Sequence, residues 1–201
     1  MKNLLKILTL ASILVAPMSY AATISSLNDG FETEASTSTL NYNSFANWDV
    51  TAGTVDLIKN GNSWGITSSE GDYSVDLDGS TGNAGVLTSK DGFAAGTYMV
   101  SFDISGNQRN GFDILDVTFD GVKLVDGLVK QAGDNFITLT FLATVSEGAK
   151  LAFANLGGDN LGMILDNVSV SAVPVPAALF LFAPALMGMV GLRRKMKVAA
   201  V

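Results

Sequence analysis

The chain of 201 residues contains no cysteine and no histidine. Disulfide bonds, thiol nucleophiles, histidine general bases and imidazole metal ligands are therefore all excluded, and so is a Ser-His-Asp triad. Aromatic residues make up only 8% of the chain, so surface for stacking against a ligand is scarce. Any metal site must be built from oxygen ligands.

Positive charge is scarce between the two ends of the chain. Residues 23–172 carry all 19 acidic side chains but only six of the 12 basic ones, which gives this region a net charge of −13. A charge of this sign argues against nucleic acid or anionic lipid as a partner. The remaining basic residues flank apolar segments at the two termini.

The first 21 residues have the pattern of a secretory signal peptide. Lys2 and Lys6 precede an apolar run over residues 7–16, and the small residues before a cleavage site end at Ala21. Pro17 interrupts the run, which is shorter than the roughly 20 residues of a spanning helix. We expect a signal helix that is removed on export; a retained anchor is the alternative.

Alternation of apolar and polar residues predicts β-strands in the middle of the chain. The period of two recurs at residues 54–58, 73–79, 97–104, 114–121, 136–143, 149–156 and 163–171. Clusters of Gly, Asn, Asp and Ser separate these segments, and no window has a convincing helical stripe. We predict one all-β domain over residues 23–172, an antiparallel two-sheet sandwich of the jelly-roll type.

Several short segments occur in an order that is found in a known group of proteins. They are NDGFE (28–32), NWDVTAGTVDLI (47–58), GDYSVDLDG (71–79), GTYMVSFDISGN (96–107) and LDNVSVSAVP (165–174). With them the chain resembles the secreted bacterial domains called choice-of-anchor C or DUF642-like, which are similar to galactose-binding-like jelly rolls found as carbohydrate-binding modules. The resemblance implies a non-catalytic protein that binds or organises extracellular polysaccharide.

The same resemblance implies a structural calcium ion held by Glu32 and Asp166 together with backbone carbonyls. Calcium accepts six to eight oxygen ligands in irregular geometry. If residues 163–171 are a regular strand, Asp166 shares a face with Ile164, Val168 and Val170, and a buried carboxylate needs a partner. The alternative is that Asp166 accepts backbone amides and that Glu32 is solvated.

The C-terminal residues 173–197 resemble a PEP-CTERM sorting signal of the V-P-x-P-A type. The matching residues are Val173, Pro174, Pro176 and Ala177, followed by an apolar run and then by Arg193, Arg194 and Lys195. The resemblance implies processing by an exosortase-type membrane enzyme. The run of 16 uncharged residues would make a helix of about 24 Å, short for a bilayer core of about 30 Å.

We therefore expect this short transmembrane helix to hold the protein transiently in the inner membrane. The protein would then move to the cell surface or the extracellular matrix. A buried core helix is the alternative for the same residues.

Sugar binding by a β-sandwich requires a flat aromatic surface and planar polar side chains. The strongest candidates are Trp64, Tyr73, Asn107 and Arg109, and the loop of the last two also offers Gln108 and Asn110. Trp64 is expected to be exposed and Trp48 to lie in the core. Asp76 and Asp78 are expected to face solvent.

Two other functions remain open. A purely structural matrix or biofilm protein would have the same acidic, glycine-rich composition. A glycoside hydrolase would need two carboxylates about 5–10 Å apart, and the sequence marks no such pair.

Overall fold

The computed structural model describes residues 23–174, which form thirteen β-strands and contain no helix. The strands are β1 (Thr23–Ile24), β2 (Ser26–Asp29), β3 (Trp48–Ala52), β4 (Asp56–Lys59), β5 (Tyr73–Asp76), β6 (Val86–Ser89), β7 (Gly92–Phe93), β8 (Gly96–Ser105), β9 (Phe112–Phe119), β10 (Val122–Gln131), β11 (Ile137–Val145), β12 (Leu151–Leu156) and β13 (Ile164–Ala172). Within these residues no helix is available to cross a membrane.

Two antiparallel sheets form the sandwich. One has the order β11-β8-β13-β5-β4, with β2 also paired to β13, and the other has the order β10-β9-β12-β6-β3. The short strands β1 and β7 form a separate parallel pair. The prediction of an all-β, two-sheet antiparallel sandwich is confirmed.

All seven predicted segments contain strands, which are β4, β5, β8, β9, β11, β12 and β13. The longest strand that the pattern missed is β10, where the pairing with β9 shifts register twice. Gly127 lies at the second shift with φ +66°. Such irregularities interrupt the alternation of period two on which the sequence prediction depends.

The core lies between the two sheets. Trp48 is fully buried, as predicted, and its ring meets that of Phe153 at 5.7 Å. Phe153 in turn contacts Phe102 of the opposite sheet edge-to-face at 5.0 Å. Edge-to-face packing of this kind is the favoured arrangement of aromatic rings.

The predicted face of β13 is wrong after Asp166. Pairing of β13 with β8 shifts register between Asp166 and Ser169, and Asn167 has φ +49°. One extra residue reverses which side chains face the core. Val168 and Val170 therefore lie in the central core together with Leu165, whereas Ile164 belongs to a second, smaller cluster.

Two predicted segments fall outside the described residues. These are the signal peptide over residues 1–21, with its cleavage at Ala21, and the sorting signal from Val175 onward, which includes Pro176, Ala177, Arg193, Arg194 and Lys195. Val173 and Pro174 are described and exposed, directly after β13.

Candidate ligand-binding site

A groove of about 300 Å³ lies between three loops at one end of the sandwich. Its walls come from residues 65–67 after β4, residues 105–108 after β8, and residues 132–136 after β10. We call this the Trp64 groove, because Trp64 immediately precedes the first wall. The three segments are distant in sequence and meet only through the sheet topology.

The side chain of Asn62 fixes the turn that presents Trp64. Its Oδ1 accepts the N–H groups of Trp64 and Ile66 at 3.0 and 3.2 Å. Its Nδ2 donates to the carbonyls of Lys59 and Ile66 at 2.8 and 2.6 Å. Ile66 is buried while Trp64 is 41% exposed, so the predicted exposure of Trp64 is confirmed.

Gln108 joins the first and second walls. Its Oε1 accepts both the N–H and the hydroxyl of Thr67 at 3.0 Å, and its Nε2 donates to the Thr67 carbonyl at 2.9 Å. The backbone N–H of Gln108 donates to the carbonyl of Ala132, in the third wall, at 3.0 Å. One planar amide thus holds the groove in a fixed shape.

The third wall is fixed by contacts to two of its main-chain carbonyls. The carbonyl of Asp134 accepts the N–H of Gly106 at 3.0 Å, and the amine of buried Lys130 donates to the carbonyl of Asn135 at 2.8 Å. A Cβ atom at Gly106 would lie 1.8 Å from the Gln131 carbonyl oxygen, so only glycine allows this approach.

The remaining groove residues combine apolar and planar polar groups. Phe136 is half-buried and packs on the cluster of Ile58, Ile66 and Ile164. The side chains of Asp134 and Asn135 are exposed beside it. Sequence reasoning missed these three residues, because nothing in the sequence brings the β10–β11 turn next to Trp64.

Tyr73 does not belong to the exposed surface with Trp64. It is only 4% exposed and lies in the central core, with the amine of Lys59 5.1 Å from its ring centroid. Tyr73 shares a face of β5 with the core residues Val75 and Leu77, so its ring is not available for stacking on a sugar.

Asn107 and Arg109 point to a different region from the groove. Asn107 is 1% exposed, and its amide donates to the carboxylate of Asp113 at 2.9 Å. Its Oδ1 accepts the N–H of Arg109 at 2.8 Å. The guanidinium of Arg109 forms an ion pair with buried Asp76. The structure therefore separates both residues from Trp64.

The carboxylates near Arg109 are buried, which corrects the expected solvent-facing position of Asp76 and Asp78. Asp76 is 1% exposed, Asp78 is 0% and Asp113 is 2%. Two loops contact this end of β5. Arg109, in residues 105–111, donates to Asp76, and the N–H of Gly162, in residues 157–163, donates to Asp76 at 2.8 Å. We call Asp76, Asp78, Arg109, Asp113 and Asn155 the Asp78 cluster.

Burial raises the pKa of each carboxyl group in the Asp78 cluster. For Asp76 the rise is large and is opposed mainly by the Arg109 guanidinium. For Asp113 hydrogen bonds from the amides of Asn107 and Asn155 oppose the rise in pKa. For Asp78 the main-chain N–H groups of Asp159 and Gly158 lower the pKa, but less than burial raises it. Because these three carboxyl groups are buried, they are not accessible to the glycosidic bond of a substrate.

Glu32 and Asp166 contact two parts of one loop and do not fit a calcium site. Asp166 Oδ2 accepts the N–H and hydroxyl of Ser69 and the N–H of Glu70, at 2.8 to 3.2 Å. Glu32 Oε1 accepts the N–H groups of Asp72 and Tyr73 at 2.9 and 3.0 Å. Since N–H groups point at these oxygens, a cation would have to displace them.

No protein-family model and no curated protein matches the chain. Solved structures do, and carbohydrate-binding modules with a jelly-roll sandwich are among them. TmCBM61, solved in complex with β-1,4-galactotriose, is 21% identical with a TM-score of 0.47, covering 64% of this chain and 90% of that chain. A family 35 carbohydrate-binding module from Clostridium thermocellum is 14% identical with a TM-score of 0.42, covering 75% and 100%.

The K1 cleaved adhesin domain of Lys-gingipain from Porphyromonas gingivalis W83 is also similar. It is 13% identical with a TM-score of 0.51, and the match covers 74% of this chain and 99% of that chain. At this identity the likeness is one of fold.

Proposed function

We propose that this protein binds carbohydrate without catalysis, and that the Trp64 groove is its binding site. The observation that carries the proposal is the exposed side chain of Trp64, in a turn whose backbone Asn62 fixes. The next residue, Gly65, begins the wall of a groove that contains planar polar side chains. An indole stacks on the apolar face of a pyranose ring, while amide and carboxylate groups pair with hydroxyls. Because the walls are hydrogen-bonded to each other, little ordering entropy is lost on binding.

The test is a titration of the purified protein against a panel of soluble polysaccharides by isothermal calorimetry. Trp64→Ala is expected to weaken binding by about 1–3 kcal/mol, roughly 5- to 150-fold, the range found for stacking aromatics. Phe112→Ala is the matched control, because Phe112 is an aromatic side chain that is 57% exposed but lies on β9. No binding to any glycan, or equal loss in both variants, would refute the proposal.

A second candidate function is a structural matrix protein that meets other proteins through an apolar surface. Phe112, Ile114, Val129 and Leu156 form such a surface on the outer face of the second sheet. Ile114 pairs directly with both Val129 and Leu156, and the other three are each more than half exposed. We call them the Phe112 patch. Contiguous exposed apolar side chains often mark interaction sites.

Light scattering distinguishes this second function from sugar binding. If the Phe112 patch joins copies of the chain, Phe112→Ser should shift the protein toward monomer at high concentration. Trp64→Ala should leave the association unchanged.

For localisation we propose export, transient inner-membrane anchoring and delivery to the cell surface or extracellular matrix. The support is the sequence pattern at Lys2–Ala21 and Val173–Lys195. We propose an exosortase-type enzyme as the processing partner. Mass spectrometry of the mature protein from its own host would locate both cleavages, and retention of residues 175–201 would contradict C-terminal processing.

A further inference from the structure

The Asp78 cluster holds more negative charge than its neighbours neutralise. Asp76, Asp78 and Asp113 are at most 2% exposed, and the guanidinium of Arg109 is paired with Asp76. Asp113 accepts a hydrogen bond from Asn107 at 2.9 Å. An ionised carboxylate that is buried without a partner is costly, and Asp78 is the member left in that state.

The N–H groups of Gly158 and Asp159 lie near enough to Asp78 to lower its pKa, but within residues 23–174 no donor makes a hydrogen bond of regular geometry to either carboxylate oxygen. The side chain is 0% exposed, so bulk solvent does not compensate for the missing partners. Native proteins leave few such groups unsatisfied, and a bound ion or water commonly satisfies them.

The geometry at Gly157 shows where side chains of the Asp78 cluster converge. A Cβ atom on Gly157 would lie 2.8 Å from Oδ2 of Asp78, 3.1 Å from Nδ2 of Asn155 and 3.6 Å from Oδ1 of Asp113. Gly157 also lines an open groove of about 770 Å³ between residues 53–54, 81–84 and 155–157. An ion from solvent therefore has a short path to the two carboxylates.

We propose that Asp78 and Asp113 bind a calcium ion next to Gly157. No three acidic side chains converge at metal-binding distance within residues 23–174, so two carboxylates would be completed by main-chain carbonyls and water. Calcium accepts such mixed oxygen ligands in irregular geometry, whereas magnesium requires a near-ideal octahedron. The site differs from Glu32 and Asp166 and does not depend on sugar binding at the Trp64 groove.

The experiment is a titration of the ion-stripped full chain with calcium chloride alone, followed by calorimetry and by thermal unfolding. We expect one ion per chain and a Tm that rises with calcium concentration, because the ion binds only the folded state. Magnesium chloride at the same concentrations should have a smaller effect. Asp78→Asn should abolish the calcium response and raise the Tm of the metal-free protein, since a neutral amide replaces an unpaired charge.

Two further variants make the result specific to this site. Gly157→Ala keeps every carboxylate but places a methyl group against Asp78, and it should also abolish binding. Glu32→Gln should keep the full calcium response.

The proposal is overturned if wild type shows no heat and no Tm shift at about 10 mM calcium, above the roughly 10⁻⁴–10⁻³ M range of extracellular calcium modules. That result would indicate that water, or the N–H groups of Gly158 and Asp159, satisfies Asp78. A response lost in Glu32→Gln but kept in Gly157→Ala would overturn it too. If Asp78→Asn fails to fold, the wild-type titration and Gly157→Ala still decide.

Discussion

The indole N–H of Trp48 donates a hydrogen bond of 2.9 Å to Oδ2 of Asp29, and both residues are buried. Oδ1 of the same carboxylate accepts the N–H of Phe31 at 2.8 Å. Asp29 therefore satisfies the only polar side-chain atom of Trp48, and Trp48 is among the largest fully buried side chains. A buried N–H without a partner would be costly, so this contact allows an indole to fill the core.

Asp29→Ala is expected to lower the free energy of unfolding by about 1–3 kcal/mol, because it leaves the indole N–H unpaired. Urea denaturation measures the loss. Asp49→Ala is the control, since Asp49 is exposed on β3 next to Trp48, and should change stability by less than about 0.5 kcal/mol. Equal losses in the two variants would show that the hydrogen bond to Trp48 contributes nothing.

The strands with strict alternation could be predicted from the sequence, and β8 is the clearest case. Tyr98, Val100 and Phe102 lie on the core face of β8, while Met99 and Ser101 between them face away from it. The face of Asp166 could not be predicted, because it depends on a bulge at Asn167. A bulge is decided by the pairing with β8 and leaves no signal in the apolar pattern of β13 itself.

In the candidate site, sequence could predict only the exposure of a residue that lies in a local turn. Trp64 lies in a turn of small polar residues, so its exposure follows from the sequence. The groove residues Gln108 and Phe136 come from loops that are distant in sequence and meet Gly65 and Thr67 through long-range pairing. The burial of Asp76 and Asp78 was missed for the same reason, since residues 157–163 cover them only in the folded chain.

Asn167→Val should destabilise the protein by about 1–3 kcal/mol, since φ +49° strains a β-branched residue. Asn167→Gly should cost much less, because glycine adopts positive φ freely. Ser169→Val, a regular position on the same strand, is the control. Thermal unfolding of the three variants tests the bulge, and an equal effect of valine at 167 and 169 would argue against it.

Asp166→Ala should destabilise the protein by about 1–3 kcal/mol, because it removes the acceptor of the Ser69 and Glu70 amides. This loss should be the same in EDTA and in calcium, since amides and not an ion occupy the carboxylate. Denaturant titrations in the two solutions measure it. A loss seen only in the presence of calcium would restore the calcium site that the family resemblance implies.

Asp116 should stabilise the protein in a manner that depends on pH. The N–H of Gly127 and then the amine of Lys123 lower the pKa of Asp116 below its usual value of 3.8. An acid with a depressed folded pKa stabilises fully above its unfolded pKa, and the stabilisation is lost as pH falls through the folded pKa. Since the side chain is 21% exposed and its partner Lys123 is more exposed still, solvent screens the interaction, and Asp116→Ala should cost only about 0.5 kcal/mol at pH 7. The difference from wild type should vanish near pH 2, and a constant difference would exclude a role for its charge.

The Trp64 groove should prefer neutral glycans over acidic ones. No basic side chain lines the groove, and Asp134 is exposed within it. The nearby cations are already committed, with Arg109 paired to Asp76 and Lys130 bound to the Asn135 carbonyl. A uronate would meet the like charge of Asp134, which is unfavourable by a few tenths to about 1 kcal/mol at an exposed site.

Asp134→Asn should therefore strengthen binding of an acidic polysaccharide several-fold at low salt and leave binding of a neutral one unchanged. Calorimetry at two ionic strengths measures both. The gain should shrink at high salt because exposed charges are screened. Stronger binding of the acidic glycan than of the neutral one by wild type would contradict the predicted preference.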